Sequence, residues 1–320
     1  MLPLQRKNEN MNIPRTSFPR IVIIGGGFAG ISLAKKLSKQ EVQVVLLDKN
    51  NYHTFQPLLY QVSTGGLEPD SIAYPIRKIL KNFPNFHFRL AHVDEINAEA
   101  NEVITNIGTL KYEYLVIASG SATNYFGNTE IEKNSMAMKS IPQSLNLRSL
   151  ILENFEDALL TSDLNERNAL MNFVIVGAGP TGVELAGALA EIKKGILPKD
   201  YPDLDTRLVQ INLIQSSDRI LKEMSEKASK KAEDFLEKLG VNVWKNVRVL
   251  NYDGRIVTTN SDVIFETATL VWAAGVKGAT IKGLDGNEYI TKGERILVNE
   301  FNQVKGMSTV FAIGDVACME

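Results

Sequence analysis

Arg20-Ile21-Val22-Ile23-Ile24-Gly25-Gly26-Gly27-Phe28-Ala29-Gly30 and, far downstream, Phe173-Val174-Ile175-Val176-Gly177-Ala178-Gly179-Pro180-Thr181-Gly182 are two copies of one pattern. Each is a short, almost wholly apolar run that stops at glycine. A stretch with apolar residues at helical spacing follows, through Leu37 in the first copy and from Val183 to Lys194 in the second. Apolar runs without polar alternation read as strands buried on both faces, the habit of parallel sheets. Strand, glycine turn and helix make a βα unit, so the duplication predicts an α/β chain of two doubly wound, Rossmann-like domains.

The glycine spacing has physical content. Gly25 and Gly177 fit the tight turn, Gly27 and Gly179 a close approach of backbone to a pyrophosphate, and Gly30 and Gly182 close helix–strand packing. The helix starts, at Phe28 and Ala29 in one and at Pro180 and Thr181 in the other, where Pro180 itself has no N–H, offer unpaired N–H groups and a positive dipole end to phosphate. After the first copy, the strand from Val42 to Leu47 leads into Asp48 and Lys49, near the ~20-residue distance at which a carboxylate takes ribose hydroxyls. A mere packing cluster of glycines, with Asp48 as a turn residue, would not need this whole strand–turn–helix–strand–acid context. After the second copy, the strand from Val209 to Ile214 ends in Gln215-Ser216-Ser217, with no acid. The Gln215 amide can still bond a ribose hydroxyl. No Arg sits at that strand end, Arg219 being the nearest, so the sequence reads as NADH over NADPH.

A length of 320 residues accommodates two domains of roughly 100–200 residues each. The 44% hydrophobic and 22% charged content is that of a soluble globular protein. A formal net charge of -2 supplies no field toward nucleic acid or an anionic membrane, so no nucleic-acid partner is expected. Cys318 is the only cysteine, which forbids an intramolecular disulfide and fits a reducing compartment. With the histidines scattered, zinc and iron–sulfur ligation both lack their spacing, and no metal is expected. Met1 to Ser17 is polar and Asn-rich, unlike a secretory signal, and Met11 is a candidate initiator because Arg20 already opens the first strand. No run approaches the roughly 20 apolar residues of a spanning helix. Phe86 to Ala118 reads as several short strands and Ser144 to Ser162 as a linking helix. Val241 to Val249 reads as a strand, Tyr252 to Arg255 as a turn, and Thr269 to Ala273 and Thr309 to Ile313 as strands ending in Gly275 and Gly314.

The paired fingerprints and Thr309-Val310-Phe311-Ala312-Ile313-Gly314-Asp315 together resemble the two-dinucleotide-binding flavoproteins, which hold FAD and NAD(P)H. The resemblance implies that Asp315, after Gly314, accepts hydrogen bonds from flavin ribityl hydroxyls. It also implies that Ala118, Ser119 and Gly120 pass close to FAD, and that Ala274 and Gly275 line the nicotinamide pocket. Asn51-Tyr52-His53-Thr54-Phe55-Gln56-Pro57-Leu58-Leu59-Tyr60-Gln61-Val62-Ser63-Thr64-Gly65-Gly66 resembles, more narrowly, the stretch beside the isoalloxazine in type II NADH:quinone oxidoreductases. From that resemblance, Gln56 and Pro57 are candidates for direct flavin contact. An aromatic loop packing into core is the plainer alternative for Phe55 and Tyr60. His53 reads as a tether or as a base, and His87 and His92 read as structural. Glu184 reads either as a carboxylate stabilised by a helix N-terminus or, by resemblance, as a group facing the redox rings and influencing protonation of the acceptor.

The expected domains are a polar extension over 1–18, an FAD domain over 19–141 and 285–320, and an NAD(P)H domain over 142–284 inserted into it. Hydride would pass from NADH to FAD at roughly 3–3.5 Å and electrons then to a quinone, the protein orienting cofactors that carry the chemistry. The family implies a peripheral enzyme on the cytoplasmic face of a membrane, with a homodimer as the expected assembly. Only Val316 to Glu320 follow Asp315 here, so the family's C-terminal, membrane-touching segment is expected to be missing. A disulfide reductase is disfavoured, because Asn51 to Leu80 holds no Cys. A soluble reductase of a small redox protein and a redox-silent FAD binder remain as alternatives.

Overall fold

The computed structural model describes residues 9–319. They form two compact units. One takes the described residues up to Thr54, Ala73–Ala122 and those from Val276 onward; the other takes Phe55–Ile72 and Thr123–Gly275, inserted between the segments of the first.

In the first unit, β1 (Arg20–Ile24), β2 (Gln43–Asp48), β3 (Phe86–Leu90) and β4 (Tyr114–Ile117) join the strand Val310–Ala312 in a parallel sheet. Its order is Val310–Ala312, β4, β1, β2, β3. Alternate residues of each strand feed opposite faces, as the pleat requires. Ile23, Leu46 and Val116 pack with Ile31 and Ala34 of helix α1 (Phe28–Leu37). Val22, Val45 and Leu115 pack with Val103 and Leu110, which belong to an antiparallel meander of Val93–Asn97, Glu102–Thr105 and Gly108–Lys111. Two faces buried at once explain the near-absence of polar residues in β1.

Met11 and Ile13, expected within a polar extension, are buried in this second core, and the Arg89 Nε donates to the Met11 carbonyl at 2.7 Å. Apolar side chains close to a polar run were enough to carry the chain into the fold there. Residues 1–8 of that stretch lie outside those described.

In the second unit, β5 (Asn172–Val176), β6 (Gln210–Gln215), β7 (Asn242–Lys245) and β8 (Thr269–Trp272) form a parallel sheet in the order β7, β6, β5, β8. Short helix α2 (Leu59–Ser63) packs on α3 (Ile141–Leu160) and α4 (Pro180–Gly195). The linking helix runs over 141–160 rather than 144–162, because the Ser140 hydroxyl caps it by accepting from the Gln143 N–H and Pro142 sits in its first turn. The strand expected over 241–249 is interrupted at Asn246, whose φ of 59° leaves the strand region and lets the Val247 N–H reach the Gln215 carbonyl at 3.1 Å. The turn at Tyr252–Arg255 forms around the Asp253 carboxylate, which accepts from the N–H groups of Arg255 and Ile256 at 2.8 and 2.7 Å.

The compact units divide at residues 122/123 and 275/276, whereas the cofactor domains were expected to divide at 141/142 and 284/285. Residues 123–141 join the second unit through backbone: the Met136 N–H bonds the Leu270 carbonyl at 2.8 Å, and the Trp272 N–H bonds the Met136 carbonyl at 2.8 Å.

Candidate functional site

At the carboxyl ends of the strands, the two glycine turns have the same geometry. The Gly25 N–H bonds the Leu47 carbonyl and the Gly177 N–H bonds the Ile214 carbonyl, both at 2.8 Å. The N-cap glycines have φ/ψ of -75°/-166° at Gly27 and -73°/-177° at Gly179, and no side chain caps either helix. Gly25 and Gly177 hold φ of 107° and 102°, a backbone that L side chains rarely adopt. A Cβ on Gly30 or Gly182 would run into the carbonyl of Gly25 or Gly177. Around Gly27 and Gly179 a Cβ would meet nothing within 4 Å, so both turns present open backbone in front of a helix start. Exposed N–H groups at a positive dipole end suit the pyrophosphate of a dinucleotide.

In the first unit, β2 delivers Asp48 to the turn. Its Oδ2 accepts from the Gly26 N–H and its Oδ1 accepts from the Asn50 N–H at 2.7 Å. Desolvation holds the Asp48 pKa above the ordinary aspartate value despite those two bonds. Lys49 follows at an exposed position. His53 Nδ1 lies 3.0 Å from the Gly26 carbonyl oxygen, and its ring meets Phe28 edge-on with centroids 5.0 Å apart. The histidine therefore ties the strand after Asp48 back to the turn.

The ends of β4 and Val310–Ala312 close on the same place. The Ala118 N–H bonds the Ile24 carbonyl at 2.8 Å, and a Cβ on Gly314 would sit 3.1 Å from the Ala29 Cβ. Asp315 is exposed, and its Oδ2 accepts from the Ser121 hydroxyl at 3.1 Å. The Ser119 hydroxyl is committed to the Ala279 carbonyl at 2.6 Å, while Gly120, with φ of 74°, has nothing within 4 Å of its Cβ position. Ser121 went unread in the sequence; a hydroxyl directly after the Ala-Ser-Gly strand end was the available signal.

The second unit repeats the arrangement with one exchange. Gln215 ends β6 where Asp48 ends β2, and its Oε1 accepts from the Ala178 N–H at 2.9 Å. Its Nε2 donates to the Ser217 hydroxyl at 2.7 Å, and that hydroxyl donates to the Arg219 carbonyl at 3.0 Å. The amide orientation follows from the network, because the opposite flip would set Nε2 against another donor. Ala274 and Gly275 follow β8, Gly275 accepting from the Asn124 N–H at 3.1 Å. Phe126, missed in the sequence, is held at φ of 52° with its ring against Gly275. Glu184 is exposed in the second turn of α4, and partial desolvation raises its pKa above the ordinary glutamate value. Thr181 is exposed beside it. Gln56 and Pro57 form a single exposed 3-10 turn that leads into α2, so they fall in this unit and not with Asp48. Among the described residues, no three or more His, Cys, Asp or Glu side chains are grouped to hold a metal, and no helix is long and apolar enough to cross a membrane.

Residues 19–320 match the family model described as pyridine nucleotide-disulphide oxidoreductase. The chain is 35% identical over 313 residues to the type II NADH:quinone oxidoreductase Ndh of Mycobacterium tuberculosis, covering 94% of this chain and 67% of that protein. It is 31% identical to the mitochondrial external alternative NAD(P)H-ubiquinone oxidoreductase B1 of Arabidopsis thaliana, covering 93% of this chain and 55% of the relative. A solved structure of NDH2 from Plasmodium falciparum in complex with NADH superposes with a TM-score of 0.87 at 25% identity, covering 94% of this chain and 64% of that one. The chain thus spans between about half and two thirds of the length of these relatives.

Proposed function

The chain belongs to the pyridine nucleotide-disulphide oxidoreductase family, on its type II NADH:quinone oxidoreductase branch, and from that premise we propose that it passes reducing equivalents from NADH through FAD to a quinone. The observation that carries this reading is the duplicated turn: two strand-ended glycine loops of one geometry, each open at its central glycine. One such turn serves one diphosphate; two serve a pair of nucleotides. FAD, when bound, supplies the chemistry by accepting hydride from the nicotinamide and yielding two electrons to the acceptor.

The residues fit these groups. In the first unit, the N–H groups behind Gly27 meet the FAD pyrophosphate, the Asp48 carboxylate takes the ribose hydroxyls, and Asp315, oriented by Ser121, takes the ribityl chain. In the second unit, the turn at Gly177–Gly182 takes the NADH pyrophosphate and Gln215 its ribose, with Ala274 and Gly275 at the nicotinamide end. Gln56 and Pro57 serve as flavin contacts. Glu184, whose pKa partial desolvation raises above the ordinary glutamate value, serves as a proton source toward the acceptor. On this assignment 19–141 and 285–320 serve FAD and 142–284 serves NAD(P)H. A peripheral position on the cytoplasmic face of a membrane and assembly as a homodimer belong to the same reading of the whole protein.

The test is spectroscopic. Protein loaded with FAD is mixed anaerobically with NADH, then with a soluble quinone. Bleaching of the flavin absorbance followed by its return supports the proposal; a bound flavin that NADH leaves unbleached refutes it.

A further inference from the structure

The two turns of this chain can be compared with each other peptide by peptide. In the first, the Gly26 N–H donates to the Asp48 carboxylate, and the Gly26 carbonyl oxygen lies 3.0 Å from His53 Nδ1. A carbonyl oxygen only accepts, so Nδ1 carries the proton and donates, and that bond assigns the tautomer. In the second, the Ala178 N–H donates to Gln215 Oε1 at 2.9 Å, and the Ala178 carbonyl accepts from the Leu221 N–H at 2.8 Å. Each turn thus holds the residue before its central glycine from two sides, by a strand-end side chain and by a second donor.

The second donor differs in kind. At Leu221 it is backbone, held at φ of 48°, a left-handed conformation that leucine adopts at a cost. At His53 it is a side chain, carried on the short strand Tyr52–Thr54, which pairs with Ala73–Pro75. The His53 ring is kept in place edge-on to Phe28, the first residue of α1. Two unrelated devices deliver one N–H to the same carbonyl position, and peptide geometry supplies the reason. A planar trans peptide carries its C=O and its N–H in opposite directions. Fixing the Gly26 carbonyl therefore fixes the direction of the Gly27 N–H, and fixing the Ala178 carbonyl does the same for the Gly179 N–H. Those are the two glycines beside which a Cβ would meet nothing within 4 Å. A donor whose direction is set before the ligand arrives loses less freedom on binding.

We propose that His53 is a positioning residue for the FAD diphosphate: its Nδ1–H, on the Gly26 carbonyl, aims the Gly27 N–H at the phosphate oxygens, the task that the Leu221 N–H performs at the second turn. His53 acts through the Gly26–Gly27 peptide and not by touching phosphate itself. This rests on the reading that the Gly25–Gly30 turn holds FAD.

Two substitutions separate the donor from the ring. His53→Phe keeps a ring against Phe28 and deletes the donor. His53→Asn sets an amide nitrogen as far along the side chain as Nδ1 and deletes the ring. FAD affinity is read by fluorescence titration of FAD-free protein, and ADP-ribose affinity by calorimetry on the same preparations saturated with FAD. His53→Phe should weaken FAD binding by roughly three- to tenfold, the worth of one hydrogen bond, while His53→Asn should stay within about twofold of the unaltered chain. ADP-ribose affinity should be the same in all three, because Leu221 holds the second turn. The reverse order, with His53→Asn the weaker binder of FAD, would assign His53 to ring packing and overturn the proposal. So would an FAD affinity unmoved by His53→Phe, an equal loss in both variants, or a fall in ADP-ribose affinity beside that of FAD, which marks a general loss of structure. An unaltered chain that takes up no FAD would refute the FAD reading of the first turn, and the proposal with it.

Discussion

Replacing Gly27 with alanine separates ligand binding from folding at the first turn. At Gly27 the backbone lies at φ -75°, ordinary for any residue, and an added Cβ meets nothing within 4 Å. The folded chain should therefore tolerate Gly27→Ala to within about 0.5 kcal/mol, as for a surface change that breaks no special feature. The new methyl would stand where the pyrophosphate must approach, and overpacking of that kind costs about 1–3 kcal/mol, roughly a 5- to 150-fold loss of FAD affinity. Gly25→Ala should behave otherwise. Its φ is 107°, and its Cβ would press on the Ala118 carbonyl, with the Ala118 carbonyl carbon at 2.7 Å and the Ser119 nitrogen at 3.1 Å. Those atoms are backbone, held by the Ala118 N–H to Ile24 bond, so they cannot swing aside. Strain of about 1–3 kcal/mol, plus a weakened hydrogen bond of ~1 kcal/mol, should appear as lost stability even without FAD. The assay is urea unfolding of FAD-free protein beside fluorescence titration with FAD. Equal FAD affinity in Gly27→Ala and the unaltered chain would show that the diphosphate does not lie over this turn.

Other expectations follow from the same geometry. Asp48 has a raised pKa in the folded state, so folded protein binds a proton that unfolded chain has released; stability of the FAD-free protein should fall as pH rises from the ordinary aspartate range through the folded pKa. FAD affinity should run the other way, weakening on acidification through that window, and Asp48→Asn should remove this dependence; an unchanged pH profile in Asp48→Asn would rule the carboxylate out. Lys245→Met strands the Glu233 carboxylate, 7% exposed, without its cation, and should cost about 2–3 kcal/mol in urea unfolding. A loss below about 0.5 kcal/mol would mean that solvent satisfies Glu233. In Glu184→Gln, quinone-driven flavin reoxidation should lose the limb that declines as pH rises through the raised Glu184 pKa. Retention of that limb would exclude Glu184 as the proton source.

What the sequence disclosed, and what it withheld, has a physical division. The βα units were legible because β1 and β5 are buried on both faces and because Gly25, Gly30, Gly177 and Gly182 occupy places a Cβ would block. The position of Asp48 beside the turn was legible for the same local reason, since it sits one strand away. Compact-unit limits were not, since 55–72 and 123–141 join the second unit through contacts with α3, α4 and β8 that no local pattern encodes. Burial of Met11 and Ile13 beyond a polar run is likewise a tertiary outcome. Ser121 and Ser217 went unread because a hydroxyl gains a role only from the partner that folding brings to it, here Asp315 and Gln215. Phe126 is legible only in space, where its ring meets Gly275.

ADP-ribose, which carries the diphosphate of NADH without its nicotinamide ring, measures the occupancy of the two turns most directly when titrated into FAD-saturated protein. One equivalent should bind per chain without releasing flavin, and Gly179→Ala should weaken it while Gly27→Ala should not. If ADP-ribose instead displaced FAD, or if Gly179→Ala left its affinity untouched, one turn would be serving both nucleotides or neither, and the account of paired cofactors would be contradicted.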